Sequence, residues 1–177
     1  MTKHFEAPII TTERLTLRGH VMADFEPLYQ LLESDRAKYM GGRHSRKDSW
    51  FWIASEVGSW VLKGFGSWGV ERLEDGVFLG QVGINQPEGY PEPEMGWVFL
   101  EHAEGKGYAA EAAVAVLDWA RANLPHATLV SHIDRRNERS IALAERLGAS
   151  ADSNAALPNW ERSQETVVYR HKIGGAA

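Results

Sequence analysis

One run of this chain limits its fold more than any other. An apolar strand pattern, EMGWVFL (94–100), meets a glycine loop, EHAEGKG (101–107), and then a long alanine-rich helix pattern, YAAEAAVAVLDWARANL (108–124). Pro125 stops that helix, and a second strand pattern, TLVSHI (128–133), follows closely. A strand, a helix and a further strand in this order form a crossover, which lays the two strands parallel. It is the single crossover read in the sequence. Before it, SWGVERL (67–73) and VFLGQVGI (77–84) flank Glu74-Asp75-Gly76, the pattern of a β-hairpin with an Asp-Gly turn.

The remaining segments complete an α+β order. RLTLRG (14–19) alternates Leu15 and Leu17 with polar residues, as a half-buried strand does. In DFEPLYQLLES (24–34), Phe25, Leu28, Leu31 and Leu32 share a helical face, with Asp24 opening the helix and Pro27 in its first turn. Gly41-Gly42 breaks the chain, and Asp48 or Ser49 caps a second helix to about Leu62, striped by Trp50, Ile53, Val57, Trp60 and Val61. A proline-rich loop (86–94) leads into EMGWVFL; NERSIALAERLG (137–148) reads as a helix ended by Gly148, and ETVVYRHK (165–172) as the last strand. The expectation is an α+β fold with a mixed, mainly antiparallel central sheet flanked by helices. It forms one domain over 1–177, with its core in about 10–171.

Composition narrows the function. The chain has 177 residues and no cysteine, which excludes a disulfide framework, a thiolate zinc site and a cysteine nucleophile. No repeated His/Asp spacing marks a metal site, so none is expected. Residues 1–10 carry Lys3, His4 and Glu6 but no apolar run, unlike a signal peptide. No segment approaches the length of a membrane span, so no membrane partner and a cytoplasmic location are expected. A formal net charge of −5 argues against nucleic acid as a partner, although a local basic patch can still hold an anion.

The glycine loop is such a place. A helix N-terminus presents unpaired N–H groups and the positive end of the helix dipole. Gly105 and Gly107 let the backbone approach a phosphate without Cβ obstruction, and Lys106 adds charge. The pattern suits a pyrophosphate cradle; it also suits a plain turn joining strand to helix. Two ligand classes use such a cradle. Gly105-x-Gly107-x-x-Ala110 meets the relaxed dinucleotide fingerprint, but that fold places the motif after its first strand and its acidic partner earlier than Asp134. The other class is coenzyme A.

HAEGKGYAAEA (102–112) resembles the acetyl-CoA signature of the GNAT superfamily of N-acetyltransferases, in which Arg or Gln, two residues, then Gly-x-Gly or Gly-x-Ala hold the pyrophosphate. NERSIALAERLGA (137–149) resembles that family's Asn-x-x-Ser/Ala helix closing on Leu-Gly. TTERLTLRGHVMADF (11–25) resembles the opening of the branch containing ribosomal-protein-alanine N-acetyltransferases. GSWGVE, GQVGI and EMGWVFL lie between these in the family's order.

The resemblance implies acetyl-CoA as co-substrate and a primary amine as acceptor, either a protein N-terminus or a small molecule, attacking directly in a ternary complex. It implies a sheet splayed between EMGWVFL and TLVSHI, with the pantetheine arm in the gap. By carry-over, the backbones of Trp97, Val98 and Phe99 bind the arm, and the amides of Gly105, Lys106, Gly107, Tyr108 and Ala109 bind the pyrophosphate. Asn137 and Ser140 face the pantetheine and the thioester sulfur. The Val98 N–H polarises the carbonyl, Glu94 is the candidate base, and Ser140 is the candidate acid for the thiolate. The chain departs from the family at three places: His102 stands at the Arg/Gln position, Ala144 where a tyrosine acid is usual, and Ala149 where an aromatic often follows Leu-Gly. Ala144 keeps open a non-catalytic acyl-CoA sensor or partner module, and the loop keeps open, more remotely, a dinucleotide-binding oxidoreductase.

Trp50 and Trp60 are expected in the core. Trp52, on the side shared with Glu56, Ser59 and Lys63, is expected to be exposed, with an acceptor pocket or a homodimer surface as its functional readings. The basic segment Gly41 to Lys47 lies where this family lines its acceptor groove, which leaves an anionic acceptor open beside the plainer reading of a solvated loop, and His132 and Asp134 point to the same region.

Overall fold

The computed structural model describes residues 6–159 and 164–174; residues 1–5, where the reading of Lys3 and His4 falls, and the end of the Gly-Gly-Ala-Ala tail lie outside them. The alternating segments assemble into one eight-stranded sheet, in the order β1-β2-β3-β4-β5-β6-β8-β7. The strands are β1 (Ile10–Thr11), β2 (Leu15–Arg18), β3 (Ser67–Arg72), β4 (Phe78–Asn85), β5 (Glu94–Phe99), β6 (Thr128–Asp134), β7 (Ser150–Ala151) and β8 (Thr166–Lys172). The helices are α1 (Met22–Leu32), α2 (Arg46–Lys63), α3 (Tyr108–Asn123) and α4 (Glu138–Arg146). Every neighbouring pair is antiparallel except β5 and β6. The short strands β1 and β7 have no alternation long enough to read in the sequence.

That parallel pair parts almost at once. Glu94 bridges Val130, and the Val130 N–H donates to the Pro93 carbonyl at 3.0 Å. One step further, the Ser131 hydroxyl donates to the Met95 carbonyl at 2.6 Å and accepts from His171 Nε2 at 3.0 Å. Beyond that pin the strands do not pair. β4 stays paired along the outer side of β5, and β8 along the whole of β6, so the parting leaves only the inner edges open.

The core fills the α3 side of the sheet. Ala112, Ala113 and Ala120 let the helix lie close over Leu15, Leu17, Val70, Val82, Ile84 and Met95. Three indoles close one end, with Trp68 4.5 Å from Trp60 and 5.1 Å from Trp119 in edge-to-face geometry. On the other face, Phe25, Leu28 and Ile53 pack α1 and α2 against Phe78 and Val98.

Both N-terminal helices start earlier than their sequence suggested. Met22 opens α1, and Asp24, its third residue, accepts the Val21 N–H at 3.1 Å. The helix then continues through Pro27, giving up one hydrogen bond, instead of holding it in the first turn. Ser45, not Asp48 or Ser49, caps α2, accepting the Asp48 N–H at 3.1 Å. Packing against α1 and the sheet turns Ser49, Ile53, Glu56 and Trp60 inward. Trp60 is core as expected, but Trp50 is 44% exposed and only leans on the edge of Phe25.

Two buried titratable groups weaken the fold in acid. Burial pushes His171 down to about 4. Burial also pushes Asp24 up, but hydrogen bonds from Arg18 (2.7 and 2.8 Å), His20 and the Val21 N–H outweigh it and hold the carboxyl at about 2. The two losses fall in separate windows. The unfolded chain protonates histidine first, so His171 costs stability, about 3 kcal/mol in all, as pH falls from about 6.5 towards 4. Asp24 supports the fold above its unfolded pKa, and that support is lost as pH falls from about 4 through 2. In urea denaturation from pH 8 to pH 3, the stability difference between the protein and His171→Gln is expected to change by about 3 kcal/mol across the first window, because the variant removes the His171 contribution and leaves every other titrating group in place. Asp24→Ala, which leaves the Arg18 guanidinium with Glu71 and the Gly19 carbonyl but removes its two bonds to Asp24, is expected to cost about 2 kcal/mol at pH 7.

Candidate active site

The parting of β5 and β6 leaves a cavity of about 840 Å³ that runs from the α1–α2 side of the sheet to the start of α4. Glu94, Trp97, Val98, Ser131, His132, Asn137 and Ser140 line it, joined by Trp52 and Glu56 from α2. Strand alternation decides what β5 shows to the gap. The Leu100 N–H donates to the Leu79 carbonyl on the β4 side, whereas the Met95 carbonyl turns to Ser131 on β6. The odd-numbered residues therefore face the gap with their backbone groups, and Val98 is paired with Gln81. The backbone groups of Trp97 and Phe99 face the gap; the Val98 N–H does not, because it turns to β4 inside the sheet. Its side chain still lines the cavity.

The glycine loop lies at the N-terminus of α3. Gly105 and Gly107 both take left-handed conformations, with φ of 72° and 80°, and Gly107 occupies the cap position. A Cβ at Gly105 would meet no heavy atom within 4 Å, so its outer face is open. The first helical hydrogen bond runs from the Glu111 N–H to the Gly107 carbonyl at 3.1 Å, which leaves the amides of Tyr108, Ala109 and Ala110 outside the helical ladder. Lys106 is exposed. Arg14, which sequence reasoning left out of the site, holds this loop from behind. It donates to the Lys106 carbonyl at 3.0 Å, stacks over Tyr108 and pairs with Glu111 at 2.6 Å. A contact between residues so distant in sequence has no local signal.

His102 turns its Nε2 to the Phe78 carbonyl at 3.0 Å, from the 3-10 turn that precedes the loop. Glu104 lies between two arginines: it pairs with Arg36, and with Arg139 of α4 at 2.6 Å. A carboxylate thus ties the glycine loop to α4 beside the open edge.

At the α4 side, Asn137 caps the helix by accepting the Ser140 N–H at 3.2 Å, and the Ser140 hydroxyl accepts from Trp97 Nε1 at 3.3 Å. Ala144 is fully buried with Ala149 against Ile133 and Tyr169, so this position adds packing and no proton donor. Glu94 accepts the His132 N–H at 3.2 Å, and its carboxylate lies 3.8 Å from His132 Nδ1. Tyr90 packs on the His132 ring at 5.7 Å. Asp134 lines the cavity but is held by Arg136, and Trp52 is half-buried in the wall. In the basic segment, Arg43 pairs with Asp35 and Arg46 with Glu26, both at 2.8 Å. Sequence reasoning also missed Glu56, which its apolar stripe left on the polar side of α2.

No group of three or more metal-ligating side chains occurs among the described residues, and no helix there is long and apolar enough to cross a membrane. The sheet, antiparallel except at one bridge, also removes the dinucleotide reading, since that motif needs successive parallel units.

Comparison with known proteins agrees with this geometry. An acetyltransferase of known structure from Agrobacterium tumefaciens strain C58 is 39% identical, with a TM-score of 0.88 over 95% of this chain and 96% of that one. YkkB of Bacillus subtilis strain 168 is 32% identical over 143 residues, covering 78% of this chain and 83% of YkkB. A RimL ribosomal L7/L12 alpha-N-protein acetyltransferase, solved with coenzyme A, shares the fold at 17% identity and a TM-score of 0.72, over 94% of this chain and 98% of that one. The family model for the acetyltransferase (GNAT) domain matches residues 14–150, and the chain belongs to that family.

Proposed function

We propose that this protein transfers an acetyl group from acetyl-CoA to a primary amine, by direct attack within a ternary complex. The observation that carries the reading is the single cavity that joins the β5–β6 gap to a polar wall holding Glu94 and His132. Membership of an acetyltransferase family and the coenzyme A bound to the RimL protein support it.

The residues fit the co-substrate. The two left-handed glycines and the first amides of α3 form a cradle that a pyrophosphate fills without meeting a Cβ. The gap-facing backbones of Trp97 and Phe99 offer hydrogen bonds to the amides of a pantetheine arm, and Asn137 and Ser140 bound its other side. Bound there, acetyl-CoA supplies an activated thioester carbonyl. The Trp97 N–H is placed as the oxyanion donor in place of Val98. Glu94 takes the proton from the amine, directly or through water. Ser140 accepts the Trp97 indole N–H and so keeps its own hydroxyl proton for the departing thiolate. The absence of cysteine removes an acyl-cysteine route and leaves direct attack. The acceptor ranges over small amines and protein N-termini, a ribosomal protein among them, and the site is proposed to work in the cytoplasm.

Thermal unfolding tests the co-substrate. Acetyl-CoA and CoA are expected to raise the midpoint, with about 2.7 kcal/mol of stabilisation at one hundred times the dissociation constant, whereas NAD(P) is expected to do nothing. Stabilisation by NAD(P) alone would sink the proposal. Glu94→Gln is expected to lower turnover at least tenfold, on the scale of general-base catalysis, with acetyl-CoA affinity nearly unchanged. CoA release across an amine panel reads the turnover. Binding without release from any amine favours the sensor reading that the buried Ala144 suggests.

A further inference from the structure

The acceptor side of the cavity holds a carboxyl that neither the glycine loop nor the gap requires. Glu56, on the sheet-facing side of α2, is 7% exposed. Its two oxygens accept from Gln81 Nε2 at 2.5 Å and Asn85 Nδ2 at 3.2 Å. Gln81 and Asn85 lie on either side of Gly83 along β4 and on the same face, so a carboxyl that reaches both spans Gly83, whose own Cβ position is filled by Ser67, the second acceptor of Asn85 Nδ2 at 2.8 Å. Gly83 pairs with Gly96 of β5, about 5 Å away across the sheet. Gly96 immediately precedes Trp97, whose N–H faces the gap. No side chain stands between them: a Cβ at Gly96 would meet nothing within 4 Å. Glu94, two residues earlier on the same face of β5, bounds the spot on its other side.

The polar groups around this spot are mismatched to one another. Gln81 Oε1 and Asn85 Oδ1 are buried with no hydrogen-bond partner among the described residues, and Gln81 itself is 3% exposed. Both residues line the cavity with Glu56. Burial pushes Glu56 up to about 8, and the charge of Glu94 pushes the same way. Buried acceptors without donors are costly. Their complement is a group that carries donors only, and a primary ammonium carries three.

We propose that Glu56, with the amide oxygens of Gln81 and Asn85, binds the acceptor as its primary ammonium ion beside Gly96. The acceptors of this enzyme are then organic cations, recognised by charge before Glu94 removes the proton. This deepens the N-acetyltransfer reading and rests on it; Glu56 binds the substrate, and Glu94 remains the base.

Calorimetric titration of the CoA-loaded protein tests this without turnover, using benzylamine and its neutral counterpart benzyl alcohol in two buffers of different ionisation enthalpy. At pH 7 benzylamine is expected to bind at least tenfold more tightly than the alcohol. It is also expected to release about one proton, because Glu56 gives up its own as the ammonium docks. Glu56→Gln, isosteric with the protonated acid, is expected to abolish both the preference and the proton release while CoA affinity stays within about twofold. Gln81→Met, which removes one orphaned oxygen, is expected to weaken benzylamine binding several-fold. Equal affinity for amine and alcohol, or an amine preference that survives Glu56→Gln, would overturn the proposal. Failure of CoA to bind would instead count against the acetyl-transfer reading, and the same amine–alcohol comparison on the CoA-free protein would still decide the role of Glu56.

Discussion

A parallel strand pair that separates after one bridge is held open by three side-chain and backbone groups. Ser131 has a single hydroxyl proton, and it goes to the Met95 carbonyl; the oxygen must then accept from His171, which fixes that ring as the Nε2–H tautomer. This pin replaces the next backbone bond of the ladder and marks where β5 and β6 divide. On one side of it the sheet is continuous and carries the core of α3. On the other, the inner edges of two fully supported strands face a cavity. Both the cofactor gap and the acceptor wall are consequences of that one division, so the site stands on strands that are each paired along their other side.

An acidic protein that takes a polyanion needs local arrangements of charge. The glycine loop supplies backbone amides, which carry partial positive charge without a side chain. The arginines around it are held by carboxylates of the same chain, Arg14 by Glu111 and Arg36 and Arg139 by Glu104. On the acceptor side the balance is reversed. Glu56 and Glu94 face a space bordered by orphaned amide oxygens, and no described cation pairs with Glu56. The glycine loop and the Glu56–Glu94 side of the cavity therefore favour opposite charges, which suits the proposed reaction between a CoA ester and a cationic amine.

Much of this was legible in the sequence. Alternation found the long strands, the glycines and Pro125 found the ends of α3, and the ordered motifs found the family. What was not legible shares a physical cause. The sheet-facing side of α2 is chosen by packing, and the stripe through Ser49, Ile53, Glu56 and Trp60 lies only a fraction of a turn from the more apolar one. The apolar stripe therefore kept Trp50 in the core and Glu56 out of it, the reverse of what the fold shows. The direction of a backbone N–H depends on register with a neighbouring strand, so Val98 and Trp97 are indistinguishable without β4. Arg14 and Glu111 meet only after the whole sheet has formed.

The placement of the indoles has an optical consequence. Trp60, Trp68 and Trp119 form an edge-to-face trio in the core, outside the lining of the β5–β6 cavity. Trp52 and Trp97 line the cavity, one on the acceptor wall and one at the gap, where the Trp97 ring donates to Ser140. Emission from the core reports folding, and emission from the cavity pair reports occupancy. Of these five indoles, Trp52 and Trp97 are the two that stand where a molecule filling the cavity would change the polarity around them.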